Sequence, residues 1–268
     1  MDIEKAIKFV RSKGNEIEKA RLDAILWDKP IQEDILKQLA AFQKSDGGFC
    51  YWIKEVSNIC DTIYVLFWFD DLKLYSGPIV EPACRFLLNR QQKDGGWDEV
   101  DKVQKFNPPE WLIPGRIETR VWLTAYCAHV LIRFGYAEAE GTYCPTDFLM
   151  ANCDESGRLT GYLRATWIAL PMLAFYPGPE PKSFQKAISV VESNYSPDWE
   201  GSYLAWLLRC LNDAGLSRSH ALVERCLVDL KRKQRIDGSW QPENEEGEDH
   251  SVNATIEAVH AFKKYNLI

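Results

Sequence analysis

The sequence predicts an all-α chain built as six helical hairpins that close into a ring. Two observations carry this. A glutamine, a short spacer, Asp-Gly-Gly and an aromatic recur along the chain, and each copy stands between an amphipathic segment and one that is apolar on nearly all sides. The β-branched residues, meanwhile, fall at helical rather than alternating spacing, which argues against strands. The whole of 1–268 is expected to form a single domain.

The hairpins can be followed in order. KFVRSKGNEIEKARLDAIL opens the chain as a first pair, with Gly14-Asn15 as its turn. IQEDILKQLAAFQ follows, placing Ile31, Ile35, Leu39 and Phe42 near helical spacing, and leads into QKSDGGF from Gln43 and the apolar run DTIYVLFWF at 61–69. QKDGGW, read from Gln92, precedes ETRVWLTAYCAHVLIRF at 118–134. The turns at 152–162 (NCDESGRLTGY) and 194–203 (NYSPDWEGSY) are drifted copies, each ahead of another apolar run. QRIDGSW from Gln234 leads to NATIEAVHAF at 253–262. From Gln43 to Gln92 is 49 residues and from Gln92 to Gln234 is 142, close to three periods of roughly 47, the mark of a repeat architecture. Glycine in each turn permits a positive φ at a helix end. Pro30, Pro78, Pro145 and Pro181 sit near the starts of the amphipathic helices, where proline is tolerated. A helix apolar all round must be enclosed, so the apolar members line the inside of the ring and the amphipathic ones its outside.

Composition narrows the function. With 46% hydrophobic and 12% aromatic residues over 268 positions, the chain is no disordered polymer. A net charge of −7 opposes binding to nucleic acid or to an anionic membrane surface. No apolar run reaches the length of a membrane span, and MDIEKAIKFVRSKGNEIEKARL lacks the apolar core of a signal peptide, so a cytoplasmic location is expected. The eight cysteines form no Cys-x-x-Cys pair and read as buried thiols.

Gln, a spacer, Asp-Gly-Gly and an aromatic between two such helices resembles the QW-type repeat of terpenoid cyclases of the squalene–hopene type and of protein prenyltransferase β subunits. The resemblance covers about residues 3 to 264 and implies an (α/α)6 toroid. It makes QQKDGGWDE at 91–99 scaffold: the glutamine bonds helix-end groups, Asp-Gly-Gly turns the chain, and Phe49, Trp97 or Trp240 packs beside a helix. It also implies an apolar lumen, lined from the N-terminal ends of the inner helices, that takes an isoprenoid or another apolar chain bearing an anionic head.

At those ends stand Glu16, Glu18 and Arg21; Asn58, Cys60 and Asp61; Arg116, Glu118 and Arg120; Tyr162 and Arg164; Trp199, Glu200 and Tyr203; and Asp249, His250 and Asn253. The cyclases carry Asp-x-Asp-Asp-Thr, whose middle aspartate protonates an alkene. Here the stretch reads Asn58-Ile59-Cys60-Asp61-Thr62, so a thiol of pKa about 8.5 occupies the acid position and is far too weak for that step. Asp61 remains as an acid, without the adjacent paired carboxylate, or as an N-cap of its helix. The candidate catalytic residues are therefore Asp61, Cys60 and Glu118. The prenyltransferases hold zinc through Asp-x-Cys and a later histidine. No Asp-x-Cys occurs here, and only His250 stands where that histidine would lie, so neither metal nor cofactor is expected.

Arg21, Arg120 and Arg164 suit a carboxylate or diphosphate head, or are neutralised by Glu18 and Glu118 in a structural network. Trp122, Trp167, Trp206, Tyr64 and Tyr203 suit an isoprenoid and its cationic intermediates, or simply fill the core. The proline-rich stretch 98–119 suits a lid or an interaction surface. Two other readings stand beside the isoprenoid enzyme. One is a binding or interaction module that keeps the cavity. The other is a toroid lyase or glycosidase, for which Asp61, Glu118 and Glu200 are the available carboxylates.

Overall fold

A computed structural model describes residues 1–139, 143–176, 182–243 and 247–268; Pro181 and the middle of the acidic stretch 243–249 lie outside them. In chain order the helices are α1 (Ile3–Lys13), α2 (Glu16–Trp27), α3 (Glu33–Ala40), α4 (Ile59–Asp71), α5 (Val80–Leu88), α6 (Ile117–Arg133), α7 (Pro145–Ala151), α8 (Leu163–Ile168), α9 (Leu170–Phe175), α10 (Ser183–Ser193), α11 (Gly201–Asp213), α12 (Ala221–Arg232) and α13 (Ser251–Lys264). Three short 3-10 turns complete the pattern, and among the described residues only isolated bridges, such as Gln43 with Phe49, have β pairing. None of the described helices is long and apolar enough to cross a membrane.

The chain forms two compact units. The first comprises residues 1–38, 71–73 and 194–268, the second 39–70 and 74–193. In the first, α13 packs on α1, α2 and α11, while α11 also packs on α12. The sequence explains which helices are central. From Val252 to Phe262 only Asn253 escapes burial on α13, whereas α12 buries one stripe through Leu222, Val223, Cys226, Leu227 and Leu230. In the second unit the long α6 is buried without a break from Val121 to Leu131 and packs on α7, α8 and α9; α10 covers α8 and α9. The apolar run YLRATWIALPML is split into α8 and α9 around Ala169, and Pro171 at the start of α9 supplies no backbone N–H to continue the ladder.

Four copies of the turn share one geometry. Lys44, Gln92, Asp154 and Arg235 each donate a backbone N–H across the turn, to the carbonyls of Gly48, Gly96, Arg158 and Ser239. The turn aspartates Asp46, Asp94 and Asp237 each accept a backbone N–H two residues on, and in the drifted copy Asp154, standing two places earlier, accepts from Ser156 N and Arg158 N. The next residue in register, Phe49, Trp97, Leu159 or Trp240, donates its N–H to a threonine hydroxyl on the following helix, from Thr62, Thr124, Thr166 or Thr255. This corrects the sequence register. The structural equivalent of Gln43 and Gln234 is Gln91, not Gln92, and the drifted copy puts Leu159 in the aromatic seat.

The glutamine works as a clamp. Gln91 Nε2 donates to Gly95 O at 3.0 Å and to Tyr143 O at 2.8 Å, while its Oε1 accepts from Tyr143 N at 2.9 Å. Gln43 Nε2 donates likewise to Gly47 O and Ile79 O, and Gln234 makes all three bonds, to Gly238 O, to Asp2 O and from Asp2 N, so the last turn holds the start of the chain. Gly95 is required twice over. Its φ is +88°, and a Cβ there would stand 2.4 Å from Cys144 O. The indole N–H groups of Trp97 and Trp240 satisfy the carbonyls of Leu87 and Leu230 near the ends of α5 and α12. QQKDGGWDE is scaffold up to its tryptophan; its final glutamate belongs to the site described next.

Candidate functional site

The strongest concentration of buried polar groups in the second unit lies at the start of α4. Asn58 caps this helix: its Oδ1 accepts from Asp61 N at 2.7 Å, and its Nδ2 donates back to Asp61 Oδ2 at 2.8 Å. The same Asp61 Oδ2 accepts three successive backbone N–H groups, from Tyr51 (2.8 Å), Trp52 (3.1 Å) and Ile53 (3.2 Å). Asp61 is 2% exposed, and burial raises its pKa above the ordinary carboxylate value despite those four donors. The helix cap is thus Asn58, and the Asp61 carboxyl instead holds the loop backbone at 51–53.

A second carboxyl meets the same helix end. Glu99 Oε1 accepts from Ile59 N at 2.9 Å and Val100 N at 2.8 Å, and Oε2 accepts from Cys60 N at 3.0 Å. It is 3% exposed, and burial is again the main cause of its raised pKa, with the Asp61 charge adding to it. No adjacent carboxylate exists in the sequence, but the fold brings one from 38 residues away. Only its place directly after the Trp97 turn could have hinted at it.

Cys60 is fully enclosed, and burial together with Asp61 and Glu99 drives its thiol well above the ordinary value. Such burial disfavours the thiolate, the form in which a cysteine acts as a nucleophile. Thr62, the last residue of the degenerate motif, is occupied in the turn: it accepts from Phe49 N and donates to Asn58 O.

Aromatic rings surround this point. Tyr51 lies edge-on to Phe42 (4.9 Å), Trp52 (5.2 Å) and Trp68 (4.7 Å), and Trp52 edge-on to Tyr64 (4.6 Å). Trp52 is 44% exposed, so this wall reaches the surface of the unit directly above the backbone that grips Asp61. A second group joins Trp111 of the proline-rich stretch to Trp122 at 4.9 Å and Trp122 to Tyr126 at 4.7 Å. Trp167 is fully buried, with the Arg164 guanidinium 5.6 Å from its ring centre.

Several expected site residues are otherwise engaged. Glu118 pairs with Arg116 at 3.5 Å, and Arg116 with Glu110 at 2.6 Å, near the surface. Arg120 turns to the scaffold, donating to Gln92 Oε1 at 2.6 Å and Asp94 Oδ2 at 2.7 Å over the Phe148 ring. The other members fall in the first unit. Arg21 is 2% exposed and donates Nε and Nη2 to Asp71 Oδ2 and Nη1 to Asn253 Oδ1. Arg209 reaches the other oxygen of Asp71 at 3.0 Å, and His260 Nδ1 lies 3.2 Å from it. Trp206 Nε1 and Asn253 Nδ2 both donate to Glu257 Oε1 at 2.8 Å. The sequence offered Arg21 to a ligand; the structure gives its donors to a buried carboxylate. Asp71, Arg209 and Glu257 were not anticipated here, because nothing local marks residues so far apart as neighbours. Tyr203 stacks against Trp199 at 4.8 Å, and His250 sits half-buried at the start of α13, 3.9 Å from the Asp249 carboxylate. His220 caps α12 through Leu222 N.

No family model matches the chain, and no curated protein does. Solved structures do match. A protein from Actinoplanes shares 17% identity at TM-score 0.66, over 98% of each chain. The type II terpene cyclase MstE from Scytonema shares 15%, also at 0.66, over 99% of this chain and 97% of that one. A variant of that enzyme in complex with geranylgeranyl dihydroxybenzoate, its substrate, matches with 13% identity at the same score and the same coverage. At such identities the likeness concerns the fold. It bears out the expected class, all-α and of the (α/α)6 toroid type, shared with type II terpene cyclases.

Proposed function

We propose that residues 1–268 act as one domain in the cytoplasm and take a prenylated or comparably apolar small molecule against the aromatic wall of Tyr51, Trp52, Tyr64 and Trp68, with Asp61 as the proton-bearing group of the site. The observation that carries this is the juxtaposition itself. A carboxyl whose charged form is disfavoured by burial is gripped by the backbone of the residues whose rings form the wall. Polyene chains are apolar, and aromatic faces stabilise the cations that protonation creates, so wall and acid suit the same ligand. The shared fold of an enzyme solved with geranylgeranyl dihydroxybenzoate supports this ligand class.

Asp61 Oδ2 is saturated with donors, so the proton of the acid form belongs on Oδ1. Of the three arginines, Arg21 and Arg120 hold the protein's own Asp71 and Asp94, and Arg164, in the first turn of α8, lies over the Trp167 ring. Trp111 and Trp122 extend the apolar surface and give the 98–119 stretch a covering role. Proton-initiated cyclisation is an isomerisation, so mass alone does not report it. The test is incubation with geranylgeranyl dihydroxybenzoate followed by chromatography and NMR of the recovered lipid. A cyclic isomer formed by the wild type and lost in Asp61→Asn supports the enzyme. Recovery of unchanged lipid by a protein that binds it supports the second reading, a binding module, which is favoured by the neutral thiol of Cys60 at the acid position. Absence of binding refutes both.

A further inference from the structure

We infer that Asp61 and Glu99 act as one unit, two carboxyls at a single helix end that share one proton, with Glu99 the positioning partner. This rests on Asp61 being the proton-bearing group of the proposed site. Both carboxyls meet the first turn of α4, which brings their charges to one helix end. Of the first N–H groups of α4, Ile59 and Cys60 give theirs to Glu99, and Asp61 gives its own to Asn58. The end of a helix favours negative charge, and here Glu99 takes the donors that would otherwise serve an anion at Asp61. Neither carboxyl is in an ion pair with any described residue. The titratable groups beside them are the phenol-bearing Tyr51, which binds Asp61 through its backbone N–H, and the thiols of Cys60 on α4 and Cys127 on α6, which burial keeps from ionising. Among the described residues, no lysine, arginine or histidine is a leading cause of either carboxyl's shift. Two buried carboxyls so placed cannot both ionise at ordinary cost: one loses its proton first, and its charge holds the other's.

The oxygens divide the work. Both oxygens of Glu99 accept backbone N–H groups, whereas Asp61 crowds all four donors onto Oδ2. A shared proton therefore has an open seat at Asp61 Oδ1, and Glu99 fixes the helix end on which Asp61 stands. A role in structure alone would hold the backbone in place without linking the two titrations.

The experiment is a pH titration of the two carboxyl carbons by NMR in protein labelled with carbon-13 at the side-chain carboxyls of Asp and Glu, with Asp61→Asn and Glu99→Gln giving the assignments. Wild type should show two linked steps, each carbon sensing both. In Glu99→Gln the Asp61 midpoint should shift down toward 3.8, its unperturbed value, and in Asp61→Asn the Glu99 midpoint should shift down toward 4.5. An Asp61 midpoint unmoved by Glu99→Gln overturns the inference. Should that variant fail to fold, the wild-type titration decides: independent single-step curves at the two carbons overturn it equally. Binding of geranylgeranyl dihydroxybenzoate, followed separately by native mass spectrometry, distinguishes this failure from failure of the functional reading, because ligand capture by the wall does not require the coupling.

Discussion

Replacing Gln91 by alanine tests the clamp that the turn geometry describes. Three hydrogen bonds disappear: Nε2 to Gly95 O, Nε2 to Tyr143 O, and Tyr143 N to Oε1. At about 1 kcal/mol net each, less what water restores at this half-buried site, the loss is about 2 kcal/mol. For a chain of this length that lowers the thermal midpoint by roughly 4–8 °C. The neighbouring Gln92→Ala removes one contact, to Arg120 Nη2, and Arg120 keeps Asp94 as partner. Its cost should stay below about 1 kcal/mol, since exposed polar contacts contribute little. Thermal unfolding followed by circular dichroism on both variants gives the comparison. If Gln92→Ala costs as much as Gln91→Ala or more, the register and the clamp are wrong.

Four further outcomes are expected. Asp71→Asn leaves Arg21 and Arg209 facing each other without their shared carboxylate, and the unfolding free energy measured in urea should fall by about 3–5 kcal/mol. Thiol titration of native protein should label Cys144 quickly and Cys153 more slowly, while Cys84 and Cys226, whose thiols burial pushes up to about 12, should react only on unfolding. Glu248, held at a pKa of about 2 chiefly by its paired bonds to Arg235, should rise toward 4.5 in Arg235→Ala and stop short of it while Ser251 still donates to it, as read by NMR. Stability should also carry the signature of Asp61. Its folded pKa lies above the unfolded 3.8, so its contribution is fully present below pH 3.8 and is lost as pH rises through the folded value. Asp61→Asn should flatten the stability profile above pH 3.8, and an unchanged slope in urea unfolding across that range would contradict the assignment.

The repeats were legible because turn chemistry is local. Asp-Gly-Gly and its Asp-Gly-Ser relative need particular residues within seven positions, and the apolar helices that follow announce their own burial. The register slipped by one because Gln91 and Gln92 are chemically identical in sequence. Spacing distinguishes them: Gln43 and Gln234 stand three residues before their turn aspartates, as Gln91 does before Asp94, and the bonds of Gln91 to Tyr143 follow that register. Asp61 was legible as the remnant of an acid motif, but the cap expected of it falls to Asn58, and Asp61 grips the loop at 51–53 instead. Glu99 was not, because its function depends on which helix N-terminus it meets in space, and that is set by the packing of a separate hairpin. The arginines misled for the opposite reason. Arginine early in an apolar helix signals a buried partner of opposite charge, and for Arg21 that partner is Asp71, part of the protein itself.

The account turns on whether the aromatic wall above Asp61 receives an apolar ligand. Native mass spectrometry of the intact protein with geranylgeranyl dihydroxybenzoate, comparing wild type with Trp52→Ala, asks this directly. Trp52 is exposed, so its removal should leave the fold intact while stripping the ring that meets Tyr51 and Tyr64. A one-to-one complex in the wild type, weakened at least about tenfold in the variant by the loss of a large aromatic contact, is the predicted result. A complex of equal strength in both proteins, or none in either, would contradict it.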